Sequence, residues 1–80
     1  MPDIPITLNG EPATTAARSL RDLVAEITGR AIADDGRPAD GSRLGVAAAL
    51  DDAVVPRGRW AATPLHPQAR VEIVTANQGG

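Results

Sequence analysis

Cysteine, lysine, phenylalanine and tyrosine are absent from this 80-residue chain, and Trp60 is its only aromatic residue. Without Cys there is neither a disulfide framework nor a thiol nucleophile. His66 is the only histidine, and one imidazole builds no metal site without carboxylate help. Asp34, Asp35 and Asp40 lack the oxygen-rich spacing and the glycine of a calcium loop. No apolar run approaches the roughly 18 to 20 residues that span a bilayer, and no basic segment followed by an apolar stretch opens the chain. A cytoplasmic protein with no membrane partner is therefore expected. Net charge is -2 and the eight cationic residues are scattered, which leaves no basic stripe for a phosphate backbone and argues against nucleic acid. No nucleophile, base and orienting group can be assembled from what remains, so a free-standing enzyme is disfavoured.

All eight cations are Arg. A guanidinium is no nucleophile whereas a neutral lysine amine is one, so a chain that carries an activated acyl group is safer without lysine. GC-rich coding, which also favours Ala, Gly and Pro, accounts for the same bias and is the simpler reading.

What is present suits one small domain near the lower size limit of an independent core. Ile4, Ile6 and Leu8 alternate with Pro5 and Thr7, the pattern of a strand with one apolar face. Asn9-Gly10 is a hairpin turn because both residues tolerate positive φ, and Glu11 to Thr15 returns as a short strand. Ser19 precedes Leu20, Leu23, Val24 and Ile27 at helical spacing, with Asp22 three residues after the cap and Gly29 positioned to end the helix. Arg30 to Arg43 reads as a long, solvated loop. Leu44, Val46, Ala48 and Leu50 mark a third strand, Asp51-Asp52 a turn, and Ala53 to Val55 a short partner that Pro56 ends. Arg57 to Trp60 is a further turn, with Trp60 assigned to the core and His66 to the surface. Val71 to Thr75 forms the final strand.

Two hairpins, one helix and a last strand give an α+β fold, a β-grasp (ubiquitin-like) roll. Its mixed four- to five-stranded sheet carries the main helix on one face, and the last strand inserts between the two halves. The expected core is Ile4, Ile6, Leu8, Leu20, Leu23, Val24, Ile27, Val46, Leu50, Trp60, Val71 and Ile73. The domain is expected over residues 1–75, with a long loop near 30–43. Residues 76–80 are expected to form a flexible diglycine tail, because Ala76, Asn77, Gln78, Gly79 and Gly80 carry neither charge nor a large apolar group.

Asn9-Gly10-Glu11, Val54-Val55-Pro56-Arg57 with Trp60 three residues on, and Val71-Glu72-Ile73-Val74 leading to Gln78-Gly79-Gly80 together resemble the ThiS family, the sulfur carriers of thiamin biosynthesis. The resemblance runs from Ile4 to Gly80. It departs from the family in the length of the 30–43 loop. It implies that the Gly80 carboxylate, with an ordinary pKa of about 3.3 to 3.7, attacks the α-phosphate of ATP held by an adenylating enzyme of the ThiF/MoeB type. Sulfur from a donor such as a cysteine desulfurase then replaces AMP, and a thiazole synthase consumes the resulting thiocarboxylate. The carrier would bind no cofactor and supply no catalytic group, ATP being used by its partner. Gly79 and Gly80 would thread into the partner behind a spacer of Ala76, Asn77 and Gln78. Glu72 and Val74 on the outward face of the last strand, and Arg57 and Arg59, are the candidate partner surface. Other β-grasp sulfur carriers, serving molybdopterin or cysteine synthesis, share this fold and tail. A ubiquitin-like protein modifier does so as well, and the residues do not separate the three.

Overall fold

The computed structural model describes residues 3–75; the expected tail, 76–80, lies outside them. The elements are β1 (Ile4–Leu8), β2 (Glu11–Thr15), α1 (Leu20–Thr28), β3 (Val46–Leu50), β4 (Ala53–Val55), a 3-10 helix (Arg57–Ala62) and β5 (Ala69–Thr75). The five strands form one sheet in the order β2-β1-β5-β3-β4. β5 lies parallel to β1 and antiparallel to β3, while both hairpins are antiparallel. This is the expected β-grasp arrangement, with the last strand between the two halves.

Each hairpin turn is written in its residues. Asn9 and Gly10 take φ values of 51° and 84°, and Asp51 and Asp52 take 50° and 74°; two successive positive φ values match the twist of tightly joined strands. α1 is capped at both ends. The Ser19 hydroxyl accepts the Asp22 N–H at 3.1 Å, and Gly29, left-handed at φ 70°, donates its N–H to the Ala25 carbonyl. The helix buries Leu20, Leu23 and Val24, each worth roughly 1.5 to 3 kcal/mol of transfer free energy. In β5, Ala69, Val71 and Ile73 are buried and Arg70, Glu72 and Val74 are exposed, so one sheet face is core and the other is open.

The core differs from expectation in several residues. Ile27 is 40% exposed: it lies on the apolar stripe of α1, but the last helical turn outruns the surface that covers its first two. Ile4, Leu8, Val46 and Leu50 are only partly buried and pack against the core. Ala17, Ile32, Leu44, Ala48, Leu65 and Ala69 join it instead. Nor is the 30–43 segment a simple solvated insert. Ile32 pairs with Pro38 in an isolated bridge, Ala33 and Ala39 donate N–H groups to Arg37 and Ala31, and Ile32, Gly36 and Pro38 are buried. The third strand begins at Val46, with Leu44 buried ahead of it, and Arg57 to Ala62 is helical where a turn was expected.

Candidate functional site: the end of the sheet where the last strand leaves

Four segments meet at one end of the sheet. Thr75 pairs with Val46, so residues 43–45 lie just past the last rung of the β3–β5 ladder. The β1–β5 ladder ends at Leu8 and Val71, which brings the Asn9-Gly10 turn to the same end. β4 finishes there too, because Ala48 pairs with Val55.

Asn9 continues the ladder with its side chain. Its backbone N–H donates to the Val71 carbonyl at 2.9 Å, its Oδ1 accepts the Ile73 N–H at 2.8 Å, and its Nδ2 donates to the Ile73 carbonyl at 3.3 Å. A carboxamide presents one acceptor and one donor side by side, as a peptide group does. β5 is therefore paired on both edges as far as Ile73, three residues before Ala76.

The Val55-Pro56-Arg57 and Trp60 motif has a similar local logic. Pro56 begins the 3-10 helix, which turns Trp60 into the core at 1% exposure. Its indole N–H donates to the Val55 carbonyl at 3.0 Å, satisfying the ring's one donor. Arg57 is half-buried, not freely exposed as expected. Its Nη2 donates to the Leu44 carbonyl at 2.6 Å and the Val46 carbonyl at 3.3 Å, and its Nη1 to the Gly36 carbonyl at 3.4 Å. The guanidinium also lies 5.4 Å from the centre of the Trp60 ring, within cation–π range. One side chain thus ties the 30–43 segment, the start of β3 and the aromatic core together, whereas Arg59 is exposed.

The open sheet face next to this end is apolar. Val54 is 78% exposed and Val74 62%, and with Ala47, Ala49 and Glu72 they line a shallow hollow of about 180 Å³. Glu72 and Val74 stand where the sequence places them. Val54 was overlooked as a surface residue, although two adjacent valines in a three-residue strand must point to opposite faces. Gly80, Gly79, Gln78, Asn77 and Ala76 lie outside the described residues.

The far end of the sheet holds the exposed polar cluster. His66 Nε2 lies 2.8 Å from Asp51 Oδ2, and its Nδ1 lies 2.8 Å from the Pro67 carbonyl. The Asp51 hydrogen bond, and secondarily that carbonyl, raise the imidazole above its ordinary pKa. The Arg70 N–H donated to Asp51, and then the His66 contact, hold that carboxyl below its usual range. Arg70 also pairs with Asp52. Among the described residues no group of three or more His, Cys, Asp or Glu is placed to hold a metal ion, and no helix is long and apolar enough to cross a membrane.

The model of the ThiS family matches residues 6–80. The chain belongs to the ThiS family. Proteins of this family are small sulfur carriers and not enzymes in their own right. A solved structure similar to this chain is the thiamine biosynthesis protein ThiS from Geobacter metallireducens, with a TM-score of 0.61 and 25% identity, covering 96% of this chain and 100% of that one. No curated protein sequence matches. The family match spans Asn9 and Arg57, which both fix the end of the sheet at which β5 stops.

Proposed function

We propose that this chain carries sulfur on its C-terminal carboxylate for thiazole formation in thiamin biosynthesis. The observation that carries the reading is the anchoring of β5 at the sheet centre on both edges, directly ahead of an uncharged five-residue segment that ends in Gly79 and Gly80. An adenylating enzyme of the ThiF/MoeB type transfers AMP from ATP to the Gly80 carboxylate and releases pyrophosphate. A persulfide sulfur from a donor such as a cysteine desulfurase then attacks the acyl carbon and AMP leaves. Reductive cleavage of the resulting acyl disulfide by a thiol frees the thiocarboxylate, which a thiazole synthase uses as its sulfur source. No group of the carrier takes part beyond the terminal carboxylate, and the carrier itself binds no cofactor.

Five extended residues reach at most roughly 17 Å, at about 3.3 to 3.6 Å each. An enzyme holding Gly80 in its active site must therefore press against the end of the sheet, and the exposed Val54 and Val74 with Glu72 lie where it lands. Uncharged, unbranched residues suit a narrow channel, and Gly79 and Gly80 place no side chain beside the reacting carbonyl.

The deciding experiment is coexpression with an adenylating enzyme and a sulfur donor, followed by intact-mass analysis. A mass gain equal to exchange of one oxygen for sulfur, located at Gly80, is expected; its absence with an active partner and donor sinks the reading. Deleting Gly79 and Gly80 abolishes the gain and leaves the melting temperature unchanged, and a large fall in that temperature would show that the tail belongs to the fold.

A further inference from the structure

A cavity of about 390 Å³ opens between the 30–43 segment and the start of β3. Arg37, Arg43 and Arg57 line it with Ser42 and Gly45, and no carboxylate is among its lining residues. Three arginines lining one hollow with no acidic residue among them, in a chain of net charge -2, are a local reversal of the overall sign. The fold accounts for only one of them. Arg57 is spent on the carbonyls of Gly36, Leu44 and Val46, whereas Arg37 and Arg43 are exposed and take part in none of the ion pairs among the described residues. The acids of the segment are engaged elsewhere: Asp34 pairs with Arg21. Asp35 accepts the Arg37 backbone N–H at 2.9 Å, and Asp40 accepts the Ser42 N–H at 2.9 Å and its hydroxyl at 2.6 Å.

We infer that this arginine-lined cavity is the receptor for an acidic segment, bearing Asp or Glu side chains, of the enzyme that adenylates Gly80. Its position argues for a protein carboxylate. Arg43 lies three residues before Val46, the partner of Thr75, so the cavity opens at the base of the tail. An enzyme surface meets that base, while the phosphates of ATP belong at the reacting end of an extended tail that reaches up to roughly 17 Å. Guanidinium groups pair with carboxylates through two parallel N–H donors, and such charges at an interface rim govern encounter and register more than chemistry. The cavity exists because the 30–43 segment folds back over Arg57, so this segment would set which adenylating enzyme the chain serves.

The inference rests on the carrier reading, and its test separates the two. ATP–pyrophosphate exchange by the adenylating enzyme is followed against carrier concentration between about 0.05 and 0.3 M NaCl, a range over which surface charges become screened. The Arg37→Glu/Arg43→Glu double variant raises the KM for the carrier about tenfold or more at low salt, flattens its salt dependence and leaves kcat unchanged. The Arg37→Ala/Arg43→Ala pair gives a smaller shift in the same direction, and Arg70→Glu, at the opposite end of the sheet, leaves KM within about twofold. Melting curves of the cavity variants match the wild type because both side chains are exposed. An unchanged carrier KM and salt slope, with exchange still running, overturn this inference and leave the carrier reading standing. A raised KM for ATP in place of the carrier assigns the cavity to phosphate and overturns it too. A wild-type chain that supports no exchange ends both.

Discussion

Asn9 does two jobs that no single alternative residue does. Its backbone takes φ 51° in the turn, which Asn tolerates better than most side chains, and its carboxamide completes the hydrogen bonding of Ile73 in the central strand. Asn9→Ala removes both, leaving an Ile73 N–H and carbonyl without their partners, and is expected to cost about 1 to 3 kcal/mol. Asn9→Gly keeps the turn and loses only the carboxamide, so its midpoint in urea should fall between the two; equal midpoints for Ala and wild type would show that Ile73 finds another partner. The turn was legible in the sequence, since Asn-Gly between alternating apolar runs is a short-range signal. The bond to Ile73 was not, because the two residues are 64 positions apart and only the assembled sheet makes them neighbours.

At the scale of elements, one arginine and one glycine form the contact that ties the 30–43 segment to the start of the 3-10 helix. Gly36 has φ 83°, and a Cβ there would collide with the Arg57 Cγ and its carbonyl oxygen. Gly36→Ala is therefore expected to displace the Arg57 side chain and cost about 2 kcal/mol or more, combining left-handed strain with loss of the carbonyl contacts. Trp60 fluorescence is a direct readout, since the guanidinium lies over the only aromatic ring; an unshifted spectrum and an unchanged midpoint would refute the clamp. The strands, the Ser19 cap and the Gly29 stop were readable because each is decided within a few residues. The loop was misread for the opposite reason. Its Asp, Arg and Gly content signals solvent, whereas Ile32, Gly36 and Pro38 are buried through contacts made elsewhere in the chain. The same gap hid the cavity, whose arginines at 37, 43 and 57 converge only after the segment closes. Ile27 shows the reverse error: a correct helical stripe reaches beyond the surface available to cover it.

At the scale of the whole molecule the two ends of the sheet have different chemistry. The end where β5 leaves is apolar and arginine-rich, and the other is held by His66, Asp51, Asp52 and Arg70. His66, raised above its ordinary 6.5, contributes stability that is complete below that value and fades as pH rises through the folded-state pKa. Asp51, lowered from 3.8, contributes above that value and loses it as pH falls through its own folded-state pKa. Their contact is therefore strongest between about pH 4 and 6.5. Melting temperatures of wild type and His66→Gln should differ most in that window and converge once the pH has risen past the folded-state pKa of His66, and a gap that does not change with pH would rule out the pairing. β5 fills the centre of the sheet although it comes after the other four strands in the chain. During synthesis the hairpins β1–β2 and β3–β4 leave the ribosome with no common neighbour, and they can join only when residues 69–75 have followed them out. A chain broken off before residue 69 therefore lacks the strand that joins its two halves, whatever its hairpins have already formed.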